Sequence, residues 1–407
     1  MYPTRALFFD PMRGIPIITL ETSQSYPYNK PTTRNYDSTI FSFHFPFTHT
    51  LLASIIKSDS GGKSIESLEF YDSNPCIKSP TMSTTKNILI TGGAGFLGPM
   101  LAAKLLKEGS YNITLTDLQA PPQPAGVPST ASLSLVAADL TSPSDISRLI
   151  SSQTTWHAVF IFHGIMSVGC EEKPALSTKV NINATQALLA AISSLSRKPR
   201  VVYASTQAVY GPPYTATGPI TDDTPATPVG VYGTHKLIME AHINDMNRRG
   251  LVDAFAVRLP TVTVRPGAPS RSAAAFLSGL LREPLAGLEC VVPIEDRSAR
   301  QVICSPRVMI ENFVRVMNAP SDAMPSHIRA IYMPGISVTL GEMYEAFEQV
   351  CGKEKLKLLR TERDAEAERL LNSWPQTAEF GNAKRLGLVF DESCVQIYRE
   401  YADSVKA

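Results

Sequence analysis

The chain has 407 residues, with 38 Lys+Arg against 37 Asp+Glu and a formal net charge of +1. Its 43% hydrophobic and 18% charged residues fit a globular protein with room for one large domain or two ordinary ones. The near-zero charge, with no basic run, argues against nucleic acid as the main partner, and no apolar stretch of ~18 residues offers a membrane span.

Before Met82 the sequence shows no sustained helical or strand period and is rich in Ser, Thr, Pro and aromatics. Phe41, Phe43, Phe45 and Phe47 alternate with Ser42, His44 and Pro46, the period of a short strand that Pro46 weakens. Thr48 to Lys57 reads as one or two helical turns. No basic flank and apolar run form a secretory signal, and Asp10, Glu21 and Asp37 fit a transit peptide poorly. Residues 1–81 are expected to be a weakly ordered extension or no part of the enzyme. They are assigned no function.

After Met82 the pattern is regular. Strands are predicted at Asn87–Ile90, Tyr111–Thr116, Leu133–Ala137, Ala158–Phe162, Arg200–Ala204 and Leu251–Arg258. Helices are predicted at Gly98–Glu108, closed by Gly109, and at Leu176–Leu195. Later helices are expected at Ser272–Leu281, Leu340–Cys351 and Ser393–Val405. Strands alternating with helices predict a parallel sheet covered on both faces. Proline-rich stretches at 121–128 and 211–228 read as loops beside a cleft. Six cysteines without a CxxC pair or zinc spacing read as free thiols in a reducing compartment, with no metal site.

The first chemical motif is Thr91-Gly92-Gly93-Ala94-Gly95-Phe96-Leu97-Gly98. Placed between a strand and a helix, its GxxGxxG spacing fits dinucleotide binding. Gly92 allows a sharp turn, Gly95 lets backbone approach a pyrophosphate, and Gly98 lets the helix pack on the strand. The helix N-terminus then meets the phosphate with free N–H groups. Asp117 closes the second strand. A carboxylate there accepts hydrogen bonds from both ribose hydroxyls and repels a 2′-phosphate, favouring NAD over NADP; a turn or cap role is the alternative. Asp139 follows the third strand and either reaches the adenine edge or caps the next helix.

Tyr232 and Lys236 stand four residues apart on one helical face. A tyrosine has a pKa near 10, and an adjacent ammonium favours the phenolate. Tyr232 can then take a proton from an alcohol while hydride leaves the same carbon. The fifth strand ends in Ser205 and Thr206. Thr206 is the expected donor to the substrate oxygen, with Ser205 as the alternative and a capping role open for either.

TGGAGFLG, Asp117, STQAVYG and YGTHK, in this order, resemble the extended short-chain dehydrogenase/reductase superfamily, in its epimerase/dehydratase branch. The likeness runs through the chain after Met82. Stretches 230–236, 258–267, 276–287, 300–306 and 332–339 are similar to D-erythronate dehydrogenases within that branch. The resemblance implies a catalytic set of Thr206, Tyr232 and Lys236. It implies an NAD site with Gly92, Gly95, Phe96, Leu97, Asp117, Asp139, Leu140, Gly164, Asn181, Tyr232, Lys236, Pro260 and Val262. Substrate contacts are expected from Ser167, Thr206 and Arg300, with Arg265 and Arg271 competing for the carboxylate. His163 departs from the small residue common there and reads either as hydrogen-bonded to nearby backbone or, lining the cofactor site, as narrowing the pocket or contacting a phosphate.

The expected fold is α/β: a doubly wound parallel Rossmann sheet over 82–260 with a smaller C-terminal substrate-binding lobe over 261–407, partly interleaved with it. The expected function is NAD-dependent oxidation of a secondary hydroxyl of a small sugar acid, D-erythronate-like, in a cytoplasmic homodimer. A nucleotide-sugar epimerase or dehydratase is the alternative, and a non-enzymatic dinucleotide-sensing regulator a lesser one.

Overall fold

A computed structural model describes the backbone of strands Ser38–His44, Thr50–Ile56 and Glu69–Asp72, and residues 85–267 and 274–406. The chain divides into two units, residues 1–83 and 84–407. In the first, the three strands pair antiparallel in the order of the chain. Thr50–Ile56 is thus extended where helical turns were expected: a short apolar run fits either period, and pairing on both sides decides it. Phe45, Pro46 and Phe47 lie outside the described residues.

In the second unit the strands are β1 (Lys86–Thr91), β2 (Tyr111–Asp117), β3 (Leu133–Ala137), β4 (Ala158–Ile161), β5 (Arg200–Thr206), β6 (Asp253–Leu259), β7 (Thr261–Val262), β8 (Cys290–Val292), β9 (Arg300–Cys304), β10 (Ala330–Tyr332), β11 (Ile336–Thr339) and β12 (Leu359–Thr361). Seven form one parallel sheet in the order β10-β6-β5-β4-β1-β2-β3. The order reverses between β1 and β4, and the carboxyl ends of these strands open a crevice there. The chain beyond residue 260 returns to this sheet through β10. It also builds a small sheet, β7-β9-β11, and a two-stranded one, β8-β12.

Burial on both faces explains why the central strands are continuous apolar runs. Ile88 and Ile90 enter one core with Leu101, Leu105 and Phe160, while Leu89 enters the opposite core with Val159, Ile161 and Leu188. A third core in the C-terminal part gathers Leu277, Leu281, Phe347 and Tyr398.

The helices needed below are α1 (Leu97–Lys107), α2 (Pro143–Ser151), α3 (Ser167–Glu172), α4 (Pro174–Ser177), α5 (Thr185–Ser193), α6 (Val231–Arg248) and α7 (Ala275–Leu285). The predicted helix 176–195 is interrupted: Thr178–Ala184 is a π-helical turn between α4 and α5. Such turns recur at functional sites, and this one carries Asn181. Among the described residues no helix is long and apolar enough to cross a membrane, and no cluster of His, Cys, Asp and Glu is placed to hold a metal ion.

Candidate active site

The glycine turn joins β1 to α1. Gly92 has φ +73°, a backbone conformation that glycine adopts freely. A Cβ there would stand 2.7 Å from the carbonyl carbon of Phe162 and 2.8 Å from His163 N. At Gly98 a Cβ would meet Gly92 O at 2.9 Å. The turn is therefore wound tightly against the loop after β4, and only glycines fit. α1 begins without a side-chain cap or an acidic residue in its first turn. Its free N–H groups and positive pole suit an anion. Asp117 braces the turn: Oδ2 accepts from Ala94 N at 3.0 Å and Oδ1 from Leu118 N at 2.7 Å. No Lys or Arg stands among residues 118–124 to attract a 2′-phosphate.

A cleft of about 590 Å³ runs from this turn past Asp117, Asp139 and Leu140 to Thr206, Tyr232, Lys236, Pro260, Val262 and Arg265. Gly95, Phe96, Leu97 and Gly164 also line it. A tight glycine cradle, an uncapped helix pole and a carboxylate at the end of β2 fit a dinucleotide. Asp139 accepts from Thr141 N at 2.8 Å, and bonds from Thr141 hold its carboxyl below the ordinary range. Ser142, not Asp139, caps α2, because its hydroxyl accepts from Asp145 N.

At the other end, Thr206 Oγ1 accepts from Ala208 N at 3.1 Å, which leaves its proton free to donate. Ser205 is taken: its hydroxyl donates to Glu240, deep under the site. Thr206 is thus the hydroxyl available to the cleft. Tyr232 is 8% exposed and Lys236 4%. Lys236 Nζ donates to Ala204 O at 2.7 Å and lies 4.6 and 5.7 Å from the ring centroids of Tyr203 and Tyr232. Burial pushes Lys236 down to about 8, against the opposing pull of Cys170 and Glu240. Burial also raises the Tyr232 hydroxyl above its ordinary value, and the cation that chiefly opposes this is Arg265. The expectation that the nearby Lys236 ammonium lowers the tyrosine pKa left out desolvation, which works against the phenolate and prevails.

Asn181 does not line the cleft. It is buried and pins the loop that does, with Oδ1 accepting from Ile165 N at 2.7 Å and Nδ2 donating to Ile165 O at 2.9 Å. His163 does line the cleft. Its partners are hydroxyls rather than backbone: Nδ1 is 2.9 Å from Thr91 Oγ1 and Nε2 3.2 Å from Thr185 Oγ1. Burial, and then Lys236, push it down to about 3, so it stays neutral.

Two expected substrate contacts are not among the cleft-lining residues. Ser167 is the first residue of α3 and is not among the cleft-lining residues. Arg300 opens β9, is 42% exposed, and stands 4.0 Å from Glu342. Arg271 lies outside the described residues. Glu240 was missed, although its place four residues after Lys236 continues the Tyr232–Lys236 face of α6.

The NAD dependent epimerase/dehydratase family model matches residues 88–325. The chain is 35% identical over 330 residues to D-erythronate dehydrogenase of Cupriavidus necator, spanning 78% of this chain and 98% of the relative. The D-erythronate dehydrogenase of Haemophilus influenzae is 33% identical over 319 residues, again 78% and 98%. Among solved structures, a nucleoside-diphosphate-sugar epimerase from Agrobacterium tumefaciens superposes with a TM-score of 0.72 at 33% identity, covering 78% of this chain and 94% of that one. L-threonine 3-dehydrogenase from Trypanosoma brucei, at 21% identity and a TM-score of 0.69 over 78% of this chain and 96% of that one, shares the fold.

Proposed function

Because the chain belongs to the NAD dependent epimerase/dehydratase family, we propose that it oxidises a secondary hydroxyl of a small sugar acid, D-erythronate or a close relative, with NAD. The observation that carries this reading is the convergence of Thr206, Tyr232 and Lys236 in the cleft that begins at the glycine turn. The two relatives named D-erythronate dehydrogenase, matched over nearly their whole length, support the substrate class.

The Thr206 hydroxyl donates to the substrate oxygen and holds it against Tyr232. Tyr232 takes the hydroxyl proton as the carbonyl forms. NAD, when bound, would supply the acceptor for the hydride leaving the same carbon. Lys236 holds the nicotinamide ribose, Asp117 the adenosine ribose, and the turn 92–98 with the α1 N-terminus the pyrophosphate. Asn181 acts through the Gly164–Ile165 loop that it pins. The working form is a cytoplasmic homodimer, joined through α5 and α6.

Absorbance at the NADH band, with NAD and a panel of four-carbon acids, tests the reading. NADH formation with D-erythronate is expected. Turnover of a nucleotide sugar with no signal from any acid would replace the reading with the epimerase one. Asp117→Ala removes a charged acceptor, so the KM for NAD is expected to rise on the order of tenfold or more. The preference against NADP should weaken at the same time. Unchanged coenzyme discrimination would leave Asp117 with only its turn-bracing bonds.

A further inference from the structure

Arg265 is the cleft's misfit. It lines the same cavity as Tyr232 and Thr206, yet none of the ion pairs among the described residues includes it, whereas its neighbours Arg258 and Arg282 each have one. A guanidinium carried into such a site without an anion is costly unless a ligand supplies one. The residue is also held in place. Its Nε donates to Val262 O at 3.1 Å, its backbone N donates to Ser278 Oγ at 3.1 Å, and its carbonyl accepts from Arg282 Nη1 at 2.8 Å. Arg282 is fixed in turn by Glu283, 2.5 Å away, in a pair that is 11% and 8% exposed. These bonds engage Nε and the main chain. They leave the two terminal amino groups, the fork that matches a carboxylate.

We propose that Arg265 binds the substrate's carboxylate and makes the enzyme selective for short hydroxy acids, with Arg282 as its positioning residue. The proposal rests on the dehydrogenase reading above and deepens it. A carboxylate held on Arg265 fixes how far along the carbon chain the reacting hydroxyl meets Thr206 and Tyr232. Neutral polyols of the same length lack that hold. Arg300, beside Glu342 and not among the cleft-lining residues, is not assigned this role.

The test compares wild type, Arg265→Gln, Arg265→Lys and Arg300→Gln on D-erythronate and on erythritol, its neutral counterpart. Arg265→Gln is expected to lower kcat/KM for the acid by about 30- to 100-fold, through KM for the lost anchor and through kcat for the lost support of Tyr232. That loss should exceed any loss on erythritol at least tenfold, with partial recovery in Arg265→Lys. Succinate, a four-carbon diacid with no hydroxyl to oxidise, should inhibit wild type competitively against the acid and lose this effect in Arg265→Gln. The succinate arm reads the anchor even where erythritol is not turned over, and NADH binding by each variant reports folding of the cleft. An equal loss on acid and polyol, unchanged succinate inhibition, or an acid-specific loss in Arg300→Gln would overturn the proposal. Saturable succinate binding to wild type that is lost in Arg265→Gln, with no hydroxy acid oxidised, would sink the dehydrogenase reading and leave the anchor standing.

Discussion

Tyr232→Phe is expected to lower kcat by about 10³-fold, within the range that a positioned general base supplies. NADH affinity should stay close to wild type. The substitution keeps the ring packed beside the Lys236 ammonium and deletes only the hydroxyl, so the loss reads the proton transfer and not the packing. Burial raises the Tyr232 hydroxyl and Arg265 opposes it. The deprotonated, base-competent form therefore grows as pH rises, and wild-type kcat/KM should climb through the neutral range. His163, pushed down to about 3, is already neutral there and adds no inflection. Lys236 loses its charge above about 8, so the climb should flatten near that pH. In Tyr232→Phe the residual rate should be flat with pH below it. A variant keeping more than a tenth of wild-type kcat would remove Tyr232 from the role of base.

The residues legible in the sequence are those whose chemistry is local. The glycine turn and the Tyr232–Lys236 pair each declare themselves within eight residues, because a turn and a helical face are short-range geometry. Alternating strands and helices likewise carry the parallel sheet. What stayed hidden depends on partners distant in the chain. The choice between Ser205 and Thr206 is made by Glu240, 35 residues away, which engages one hydroxyl and leaves the other. Asn181 reads as a site residue, but its contacts run to Ile165 and so to the cleft wall. Three arginines competed for the carboxylate because charge alone does not say which one lines the cleft. Arg265, between β7 and α7, is among the cleft-lining residues and Arg300 is not.

Glu240→Ala is expected to cost about 3–5 kcal/mol of folding stability, the usual cost of breaking a buried ion pair from one side. Glu240 is 2% exposed. Arg258 reaches it with Nε at 3.0 and 3.1 Å and with Nη2 at 2.6 Å, and donates from Nη1 to Tyr210 Oη at 2.8 Å. Removing the carboxylate leaves a guanidinium stranded between β6 and α6 and frees the Ser205 hydroxyl from its acceptor. Urea unfolding should show a lower midpoint with an unchanged slope. The double variant Glu240→Leu/Arg258→Met should recover most of the loss, because it strands no charge. The milder Glu240→Gln reads the chemistry. Lys236 is held down by burial and supported in part by the Glu240 carboxylate. Without that carboxylate its pKa falls further, so the pH at which kcat/KM flattens should move below 8. An unmoved inflection in a folded Glu240→Gln variant would confine the residue to stability and leave the tuning of Lys236 to other groups.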